Sequence, residues 1–190
     1  IYALRVLRNF SVRKVLTPHY HGTGHTAFRR FLWVFWKGRC RNLVRHVDVV
    51  HAVSDYEAEL IARDFDVEPV VIGHGVEEWL SSVEWRPEDY VMYSGRIERY
   101  KNIHRLGNIV KILNSKYGHS LKLKVFGEGT YRAKLEEHLE KLEIEFSIQP
   151  PQPYEKYIEM LSRAKLFALL SEKEAFGLTV NEANAIGVPV

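Results

Sequence analysis

Cysteine and long apolar runs are the two scarcest features of this 190-residue sequence. Its one cysteine, Cys40, cannot form a disulfide within the chain, which argues against a disulfide-stapled secreted domain and fits a reducing compartment. The longest apolar run, at residues 31–36, is far below the about 20 residues that a spanning helix needs, so we expect no bilayer-crossing segment. No signal-peptide pattern follows Ile1, and we expect a cytoplasmic protein, peripheral at most to the cytoplasmic membrane face. Because the chain lacks an initial Met and stops at residues 187–190 where a strand should begin, we expect an internal piece of a longer protein.

Acidic residues are nearly missing from the first fifty positions. Residues 1–50 carry ten Lys and Arg but one acid, Asp48, and sum to +9, whereas residues 51–190 carry 17 basic and 23 acidic side chains and sum to −6. This asymmetry points to an anionic partner for the front segment. With 46% apolar and 12% aromatic residues the chain can bury a core, which excludes a disordered tail.

The rear part alternates short apolar runs with helical spacing. We predict strands at 90–94, 121–126, 144–148 and 166–170, and helices at 102–116, after Thr130, at 154–161 and at 178–186. Such alternation favours an α/β fold with a parallel sheet covered by helices on its faces. Ligands of such sheets bind beyond the carboxyl ends of the strands, where Gly or Ser follows three of these four.

The front part repeats this alternation less regularly. We predict strands at 12–17, 47–53 and 70–72, a long basic and aromatic helix at 28–45, and a helix that Ser54 and Glu57 open with capping-box spacing. The aperiodic, polar residues 77–88 indicate a linker. We therefore predict two α/β domains, 1–80 and 81–190.

Two glutamates near the end of the chain form the most specific pattern. Glu174 lies in a predicted strand-to-helix turn, and Glu182 lies inside the following helix. Seven residues stand between them, which is the pattern written E-x7-E. Carboxylates recognise paired hydroxyls such as those of a sugar, and free N–H groups at a helix start, here at Phe176, Gly177 and Leu178, suit a phosphate. The alternative is an ordinary solvated, acid-rich helix start.

Cations and glycines follow the two preceding strands. After Gly95, Arg96 can bind two phosphate oxygens and Lys101 can add a point charge, although a solvated basic turn is the alternative. Gly127 and Gly129 allow close approach of the backbone to a ligand, and otherwise form only a turn. This is not a dinucleotide fingerprint, because Arg132 stands where a third glycine is required, and no Walker pattern occurs.

Taken together, these segments resemble a family 4 glycosyltransferase (group 1 glycosyl transferases). The resemblance rests on Gly95-Arg96-Ile97 with Lys101-Asn102, on Phe126-Gly127-Glu128-Gly129, and on Ser171-x-x-Glu174-Ala175-Phe176-Gly177-Leu178 with Glu182-Ala183 and Gly187-Val188-Pro189. It implies two Rossmann-like domains of the GT-B type, both truncated in this chain: the C-terminal part of an acceptor-side domain at 1–80 and a donor domain at 81–190. It also implies that Arg96 and Lys101 bind the donor diphosphate, Glu174 the donor sugar and Glu182 the ribose. The base would fall near residues 149–152.

The front segment resembles the second half of the acceptor domain. Thr17-Pro18-His19 is similar to the Thr-x-His at a strand end whose histidine lies beside the donor sugar, which makes His19 the candidate and His21 the alternative if the register slips. Residues 71–77 depart from the family's usual Pro-Asn-Gly-Val-Asp, with Gly73, His74 and Glu77 substituted.

Three further patterns are weaker evidence for a functional site. His19, His21 and His25 share a loop without a Cys or carboxylate partner, which argues against a zinc site. Asp64-Phe65-Asp66 copies the metal-binding Asp-x-Asp of transferases of another fold, but it follows a predicted helix end, and the resemblance implies no metal or other cofactor. Two arginines flank Cys40 and could lower its pKa, but nothing supports a reactive role.

The segment 28–45 allows three interpretations. It interleaves basic residues with aromatic ones, which is typical of a helix lying on an anionic membrane surface. Aromatics among cations also suit single-stranded nucleic acid, the least favoured alternative, and we expect no nucleic-acid partner. The third alternative is a core helix whose cations extend to solvent.

The hypothesis is a retaining, hexosyl-type glycosyltransferase acting on a nucleoside diphosphate sugar and an acceptor hydroxyl. The basic front half favours an anionic acceptor, such as a lipid-linked saccharide, or a cell-surface glycan. The alternatives are a nucleotide-sugar epimerase, a phosphorylase-type enzyme of the same fold, and a non-catalytic membrane-docking subunit.

Overall fold

The computed structural model describes residues 2–7, 9–22 and 27–190. The chain divides into two compact units. The first comprises residues 1–74 together with Glu174–Phe176, and the second comprises residues 75–173 and 177–190. The division between His74 and Gly75 lies N-terminal to the boundary at residue 80 that the sequence predicts, and the three-residue segment Glu174–Phe176 is assigned apart from both its flanks.

The first unit is a small three-stranded α/β unit. Its elements are α1 (Tyr2–Leu7), β1 (Val15–Leu16), α2 (Ala27–Val44), β2 (Val49–Ala52), α3 (Asp55–Phe65) and β3 (Val70–Val71). The strands are parallel in the order β1-β2-β3, with Val15 opposite Val49 and His51 opposite Val70. The core lies where Cys40 and Val44 of α2 meet Ala52 of β2 and Ile61 of α3.

Local capping fixes the start of α3. The Ser54 hydroxyl accepts a hydrogen bond from the Glu57 amide at 3.1 Å, as the sequence spacing predicts. The Glu57 carboxylate, fully buried, accepts hydrogen bonds from the amides of Val53 and Tyr20. The Ser54 side chain therefore caps the helix, and the Glu57 side chain joins its first turn to the loop that follows β1.

The second unit is a four-stranded parallel α/β unit. After a 3-10 helix (Glu78–Ser82) come β4 (Glu88–Ser94), a 3-10 turn (Arg99–Lys101), α4 (Ile103–Tyr117), β5 (Lys122–Phe126), α5 (Arg132–Lys141), β6 (Phe146–Gln149), α6 (Tyr154–Ser162), β7 (Ala164–Phe167) and α7 (Leu178–Ile186). The strand order is β6-β5-β4-β7, and every pair is parallel. Since the carboxyl ends of parallel strands lie at one edge, the loops after β4, β5, β6 and β7 share that edge.

Strand β4 separates two apolar cores by simple alternation. Val91 and Tyr93 face the core that contains α4 and α5, whereas Tyr90 and Met92 face the core that contains α6 and α7. All four side chains are at most 2% exposed, which is the pattern of a central strand covered on both faces. The α/β class predicted from the alternating pattern is confirmed.

Several predicted boundaries are wrong, and packing explains why. Residues 77–88 are not a plain linker, because they contain a 3-10 helix whose Leu80 is fully buried against α7, and β4 already begins at Glu88. Thr130 does not cap α5, since its hydroxyl donates to the Glu98 carboxylate at 2.9 Å and the helix begins at Arg132. Strand β1 is shorter than residues 12–17, and β7 ends at Phe167 rather than at Leu170.

Candidate active site

The loop after β4 brings the two predicted phosphate-binding cations to the carboxyl edge of the second sheet. Gly95, with φ +148°, permits a sharp exit from the strand. Arg96 is exposed and donates to the Tyr100 hydroxyl at 2.8 Å, while Lys101 is only 8% exposed, with its Nζ 5.2 Å from the centre of the Tyr100 ring. One cation is thus exposed to solvent, and the other is largely buried.

Asn102 connects this loop to the segment that leads into the acidic motif. The Asn102 amide group donates to the carbonyl of Leu170 at 3.0 Å, and the Glu172 amide donates to the carbonyl of Tyr100 at the same distance. Asn102 stands at the start of α4 in a left-handed conformation, with φ +56°. Its carbonyl, rather than its side chain, therefore accepts from the helix at Arg105.

The glycine turn after β5 fits tightly against the cation loop. A β-carbon on Gly127 would overlap the carbonyl oxygen of Gly95, and one on Gly129 would overlap the backbone of Ile97. Ile97 donates to the carbonyl of Glu128 at 2.8 Å and accepts from the Tyr131 amide at 3.0 Å. The two glycines are thus explained by contact between loops, a role distinct from the ligand contact that the resemblance implies.

Glu182 is a buried carboxylate on the first turns of α7. Its side chain is 6% exposed, and its Oε2 accepts a hydrogen bond from the Tyr157 hydroxyl at 2.9 Å. Gly177 precedes the helix with φ +84°, and Leu178 follows it, 43% exposed. Glu182 and Leu178 line a cavity of about 510 Å³ within the second unit.

The first unit holds the other predicted residues. Glu174–Phe176 belongs to this unit, where the Ser54 hydroxyl donates to the carbonyl of Ala175 at 2.7 Å and the His74 ring meets the Phe176 ring edge-on, 5.1 Å between centres. His19 stacks on His74 with ring centres 5.7 Å apart. The structure thus gathers His19 and Phe176 around His74.

The backbone at His19 is set by a buried polar network. His19 has φ +47°, a conformation that a non-glycine residue adopts only when its surroundings impose it. The neighbouring Tyr20 hydroxyl donates to Asp64 and accepts from the Trp33 indole at 3.0 Å. Burial, and then the hydrogen bond to Asp64, raise the pKa of the Tyr20 phenol, which stays protonated. The alternative candidate His21 lies in the same loop, and His25 lies outside the described residues.

Asp64 and Asp66 have basic partners. Asp64 pairs with Lys37 at 2.9 Å and with Arg63 at 3.1 Å, and Asp66 pairs with Arg45. Across residues 2–7, 9–22 and 27–190, no group of three or more potential metal ligands occurs. In the same part of the chain, no helix has both the length and the apolar character to cross a bilayer.

Helix α2 has one buried face and one exposed face. Cys40 and Val44 are buried against α3 and the sheet, while Phe28, Phe31 and Phe35 are 62–70% exposed. The core-helix alternative therefore describes the first set, and the exposed rings of the second set depart from it. Burial also raises the pKa of the Cys40 thiol, against the lowering that its arginine neighbours suggest.

Several site residues could not be identified from the sequence. Tyr157 and Tyr154 show only helical spacing there, Ser54 only a capping pattern, and His74 only a departure from a motif. Each acts through a partner far away in the sequence, so no local pattern reveals it.

A comparison with family models identifies the family of this chain. Residues 61–190, more than half of the chain, match the family model described as glycosyl transferases group 1. The chain belongs to this family. Residues 1–79 of this group 1 glycosyl transferase match a second model, described as Glycosyltransferase Family 4, and the predicted resemblance is confirmed.

The relatives of this group 1 glycosyl transferase are longer than the chain. D-inositol 3-phosphate glycosyltransferase of Corynebacterium urealyticum is 26% identical over 176 residues, covering 79% of this chain and 41% of the relative. Sucrose-phosphate synthase of Thermosynechococcus elongatus superposes with a TM-score of 0.81 at 20% identity, covering 99% of this chain and 52% of that one. The Anabaena protein HepE, solved with UDP and glucose, has a TM-score of 0.78 at 17% identity, covering 100% of this chain and 56% of that one.

The chain therefore spans about half or less of the length of these proteins. The structural likeness confirms the fold class, an α/β protein with Rossmann-like units of the GT-B type.

Proposed function

We propose that this chain carries the donor site of a retaining, hexosyl-type glycosyltransferase that uses a nucleoside diphosphate sugar. Membership in the group 1 glycosyl transferases supports transfer of a sugar, and the relative solved with UDP and glucose supports a nucleotide sugar as donor. The acceptor is a hydroxyl of a glycan or of a lipid-linked saccharide, in keeping with the +9 charge of residues 1–50.

One observation carries the proposal: the loop with Arg96 and Lys101 is hydrogen-bonded to the segment that enters the acidic motif. The Asn102–Leu170 and Glu172–Tyr100 hydrogen bonds join the two at the carboxyl edge of the sheet, where ligands of parallel α/β folds bind. A diphosphate there meets a buried ammonium and an exposed guanidinium, and two cations compensate its charge.

The proposed chemistry needs no protein nucleophile. The bond from the anomeric carbon of the sugar to the diphosphate oxygen breaks, and a bond to the acceptor oxygen forms on the same face. The acceptor proton passes to an oxygen of the departing diphosphate. Arg96 and Lys101 stabilise the charge on that group. Glu174 and His19 orient the sugar, and Gly177 opens the helix whose free N–H groups face the phosphates.

Replacing Arg96 by Ala tests the diphosphate role. With the chain in its natural full-length context, we expect turnover of the nucleotide sugar to fall about 100-fold, the usual cost of removing one preorganised charge-stabilising group. The matched control is Arg105→Ala, an exposed arginine on α4, which is expected to keep wild-type turnover. EDTA is expected to have no effect. Unchanged turnover in Arg96→Ala would remove the diphosphate role.

Product analysis separates the enzymatic alternatives. A retaining transferase gives an acceptor glycoside with the anomeric configuration of the donor, visible by proton NMR, whereas inversion would contradict the retaining part of the proposal. An epimerase gives an isomer of the donor without any acceptor, and a phosphorylase requires inorganic phosphate. Absence of turnover with every donor, while Arg96, Lys101, Glu174 and Glu182 are all present, would favour the non-catalytic subunit.

The outward face of α2 supports a second role, contact with an anionic membrane surface. Phe31 and Phe35 are exposed and 5.2 Å apart between ring centres, and Arg39 is exposed on the same helix. Exposed aromatic rings among cations suit the interface of an anionic bilayer. This contact would hold the protein at the surface that carries a lipid-linked acceptor.

Vesicle co-sedimentation tests this contact. Binding to vesicles with phosphatidylserine, weak binding to neutral vesicles, and a loss of binding in Phe31→Ser with Phe35→Ser are the expected results. Leu142→Ser, a partly buried position in the second unit, is the control for general damage to the fold. Equal binding to neutral and anionic vesicles contradicts the electrostatic part, and binding to single-stranded oligonucleotides instead would favour the nucleic-acid alternative.

A further inference from the structure

The cavity at the start of α7 has an unusual lining for a site that must accept a nucleotide. It measures about 510 Å³ and lies wholly within the second unit. Its lining comprises the backbone at 75–76 and the residues Glu77, Glu78, Tyr154, Leu178 and Glu182. Carboxylates and a phenol supply its polar side chains, and none of these residues is cationic. Such a lining disfavours phosphate and suits a neutral group rich in hydroxyls.

Glu182 is held from the core side by Tyr157 of α6, and a second tyrosine of that helix, Tyr154, lies beside it. Tyr157, 8% exposed, packs in the core between α6 and α7 and donates its hydroxyl to Oε2 of Glu182 at 2.9 Å. The Tyr154 phenol lies close enough to Glu182 to feel its charge, and its ring centre lies 6.2 Å from that of Tyr157. The Tyr157 phenol therefore holds the carboxylate from the core side.

Both phenols remain donors at any physiological pH. Burial, and then the charge of Glu182, raise the pKa of Tyr157 well above its usual value. The same two causes raise the pKa of Tyr154 to about 12. Since a carboxylate offers about four acceptor positions, the hydrogen bond from Tyr157 leaves room for two hydroxyl donors from a ligand. A carboxylate already oriented in this way loses little conformational freedom when the ligand binds.

We propose that Tyr157 is a positioning residue that orients Glu182 for the paired ribose hydroxyls of the nucleotide donor. The inference rests on the proposed function, and deepens it by naming what selects ribose over deoxyribose. Tyr157 does not touch the ligand, because the carboxylate lies between them. Its removal weakens the preference for ribose and leaves diphosphate binding intact.

The experiment compares ribonucleoside diphosphates with their 2′-deoxy forms. Binding of ADP, GDP and UDP, and of each deoxy counterpart, is measured by titration calorimetry with the wild-type chain and with Tyr157→Phe, Glu182→Gln and Tyr90→Phe. Tyr90→Phe is the matched control, because its hydroxyl is also buried in the same core but donates to the carbonyl of Met160, away from the cavity. Circular dichroism checks that each variant is folded.

We expect the wild type and Tyr90→Phe to prefer the ribose form equally. In Tyr157→Phe the ratio of affinities for the ribose and deoxy forms is expected to be about tenfold smaller, because one hydrogen bond to a charged group is lost. In Glu182→Gln this ratio should fall by at least as much. In turnover assays, Tyr157→Phe should raise KM for the nucleotide sugar and leave kcat nearly unchanged.

The outcomes separate this inference from the proposed function. If the wild type binds and Glu182→Gln loses the ribose preference while Tyr157→Phe keeps it, the positioning role is overturned and the donor site stands. If Glu182→Gln keeps the preference, the cavity is not the ribose site and the inference is overturned. If the wild type binds no nucleoside diphosphate, the inference and the proposed function are both overturned.

Discussion

The ammonium of Lys37 on α2 lies 2.9 Å from Oδ2 of Asp64 on α3, and this pair joins the two helices of the first unit. The Asp64 side chain is only 8% exposed, and it also accepts from Arg63 and from the Tyr20 hydroxyl. An Asp-x-Asp pattern that copies a metal site is here the centre of an ion-pair network. The network also fixes the loop that carries His19.

Acid should weaken this network in a defined pH window. Burial raises the pKa of Asp64, but hydrogen bonds from Arg63, Tyr20 and Lys37 outweigh it and hold the pKa at about 2. A depressed folded-state pKa means that the stabilisation is complete above the unfolded value of about 4 and is lost as the pH falls towards 2. We expect the wild type to lose about 2 kcal/mol more than Asp64→Asn between pH 4 and pH 2.

Urea unfolding, followed by circular dichroism at each pH, measures that difference. The control is Asp66→Asn, which removes an exposed ion pair with Arg45 and should change the pH dependence little. Parallel pH profiles for the wild type and Asp64→Asn would contradict the assignment.

Asn102 should be replaceable by Gly more easily than by Ala. Either change removes the hydrogen bond to Leu170, at a cost of about 1 kcal/mol. Ala must in addition hold φ near +56°, which costs about 1 kcal/mol more. The free energy of unfolding should therefore rank wild type, Asn102→Gly, Asn102→Ala. If Ala were the milder change, the left-handed conformation at this position would be wrong.

Gly129→Ala should damage the donor loop, whereas Gly118→Ala should not. The added carbon at Gly129 meets the backbone of Ile97, so the loop must shift and the Tyr131–Ile97 hydrogen bond weakens, for about 3 kcal/mol in total. At Gly118, with φ +71° and nothing within 4 Å, only the left-handed strain of about 1 kcal/mol applies. Thermal unfolding and nucleotide binding measure both effects, and equal losses in the two variants would refute the contact.

Cys40 should react with thiol reagents only when the first unit opens. The side chain is 7% exposed and burial raises its pKa, so both access and thiolate fraction are low. We expect Ellman's reagent to label it more than about tenfold slower in buffer than in urea. The reference is Cys40→Ala with Ser115→Cys, where the new thiol lies on the exposed face of α4 and should react at once. Rapid labelling of native Cys40 would show that the packing of α2 is wrong.

Elements with a complete local pattern could be predicted from the sequence. Helix α7 has the predicted bounds because Gly177 and Gly187 both adopt left-handed conformations at its two ends. The Ser54 cap was visible because it needs only the spacing to Glu57. By contrast, the residues before β4 show no period, because a few scattered side chains anchor them to elements far along the chain, among them Leu80 on α7 and Trp85 on the carbonyl of Ala164.

The same distinction holds for the candidate site. Residue chemistry was sufficient to nominate Arg96, Lys101 and Glu182, since charge and glycine spacing are local properties. The roles of Tyr157 and of Asn102 depend on partners 25 and 68 residues away. Only the folded chain brings those partners together.

The strand order β6-β5-β4-β7 also sets a sequence of events during synthesis. Strand β4 pairs with β5 on one side soon after both leave the ribosome, but its other side waits for β7, about 75 residues later in the chain. Until β7 emerges, one edge of β4 has unpaired backbone groups and Met92 lacks part of its cover. The acidic motif follows β7 directly, so the nascent chain completes its central sheet before it can form the pocket at α7.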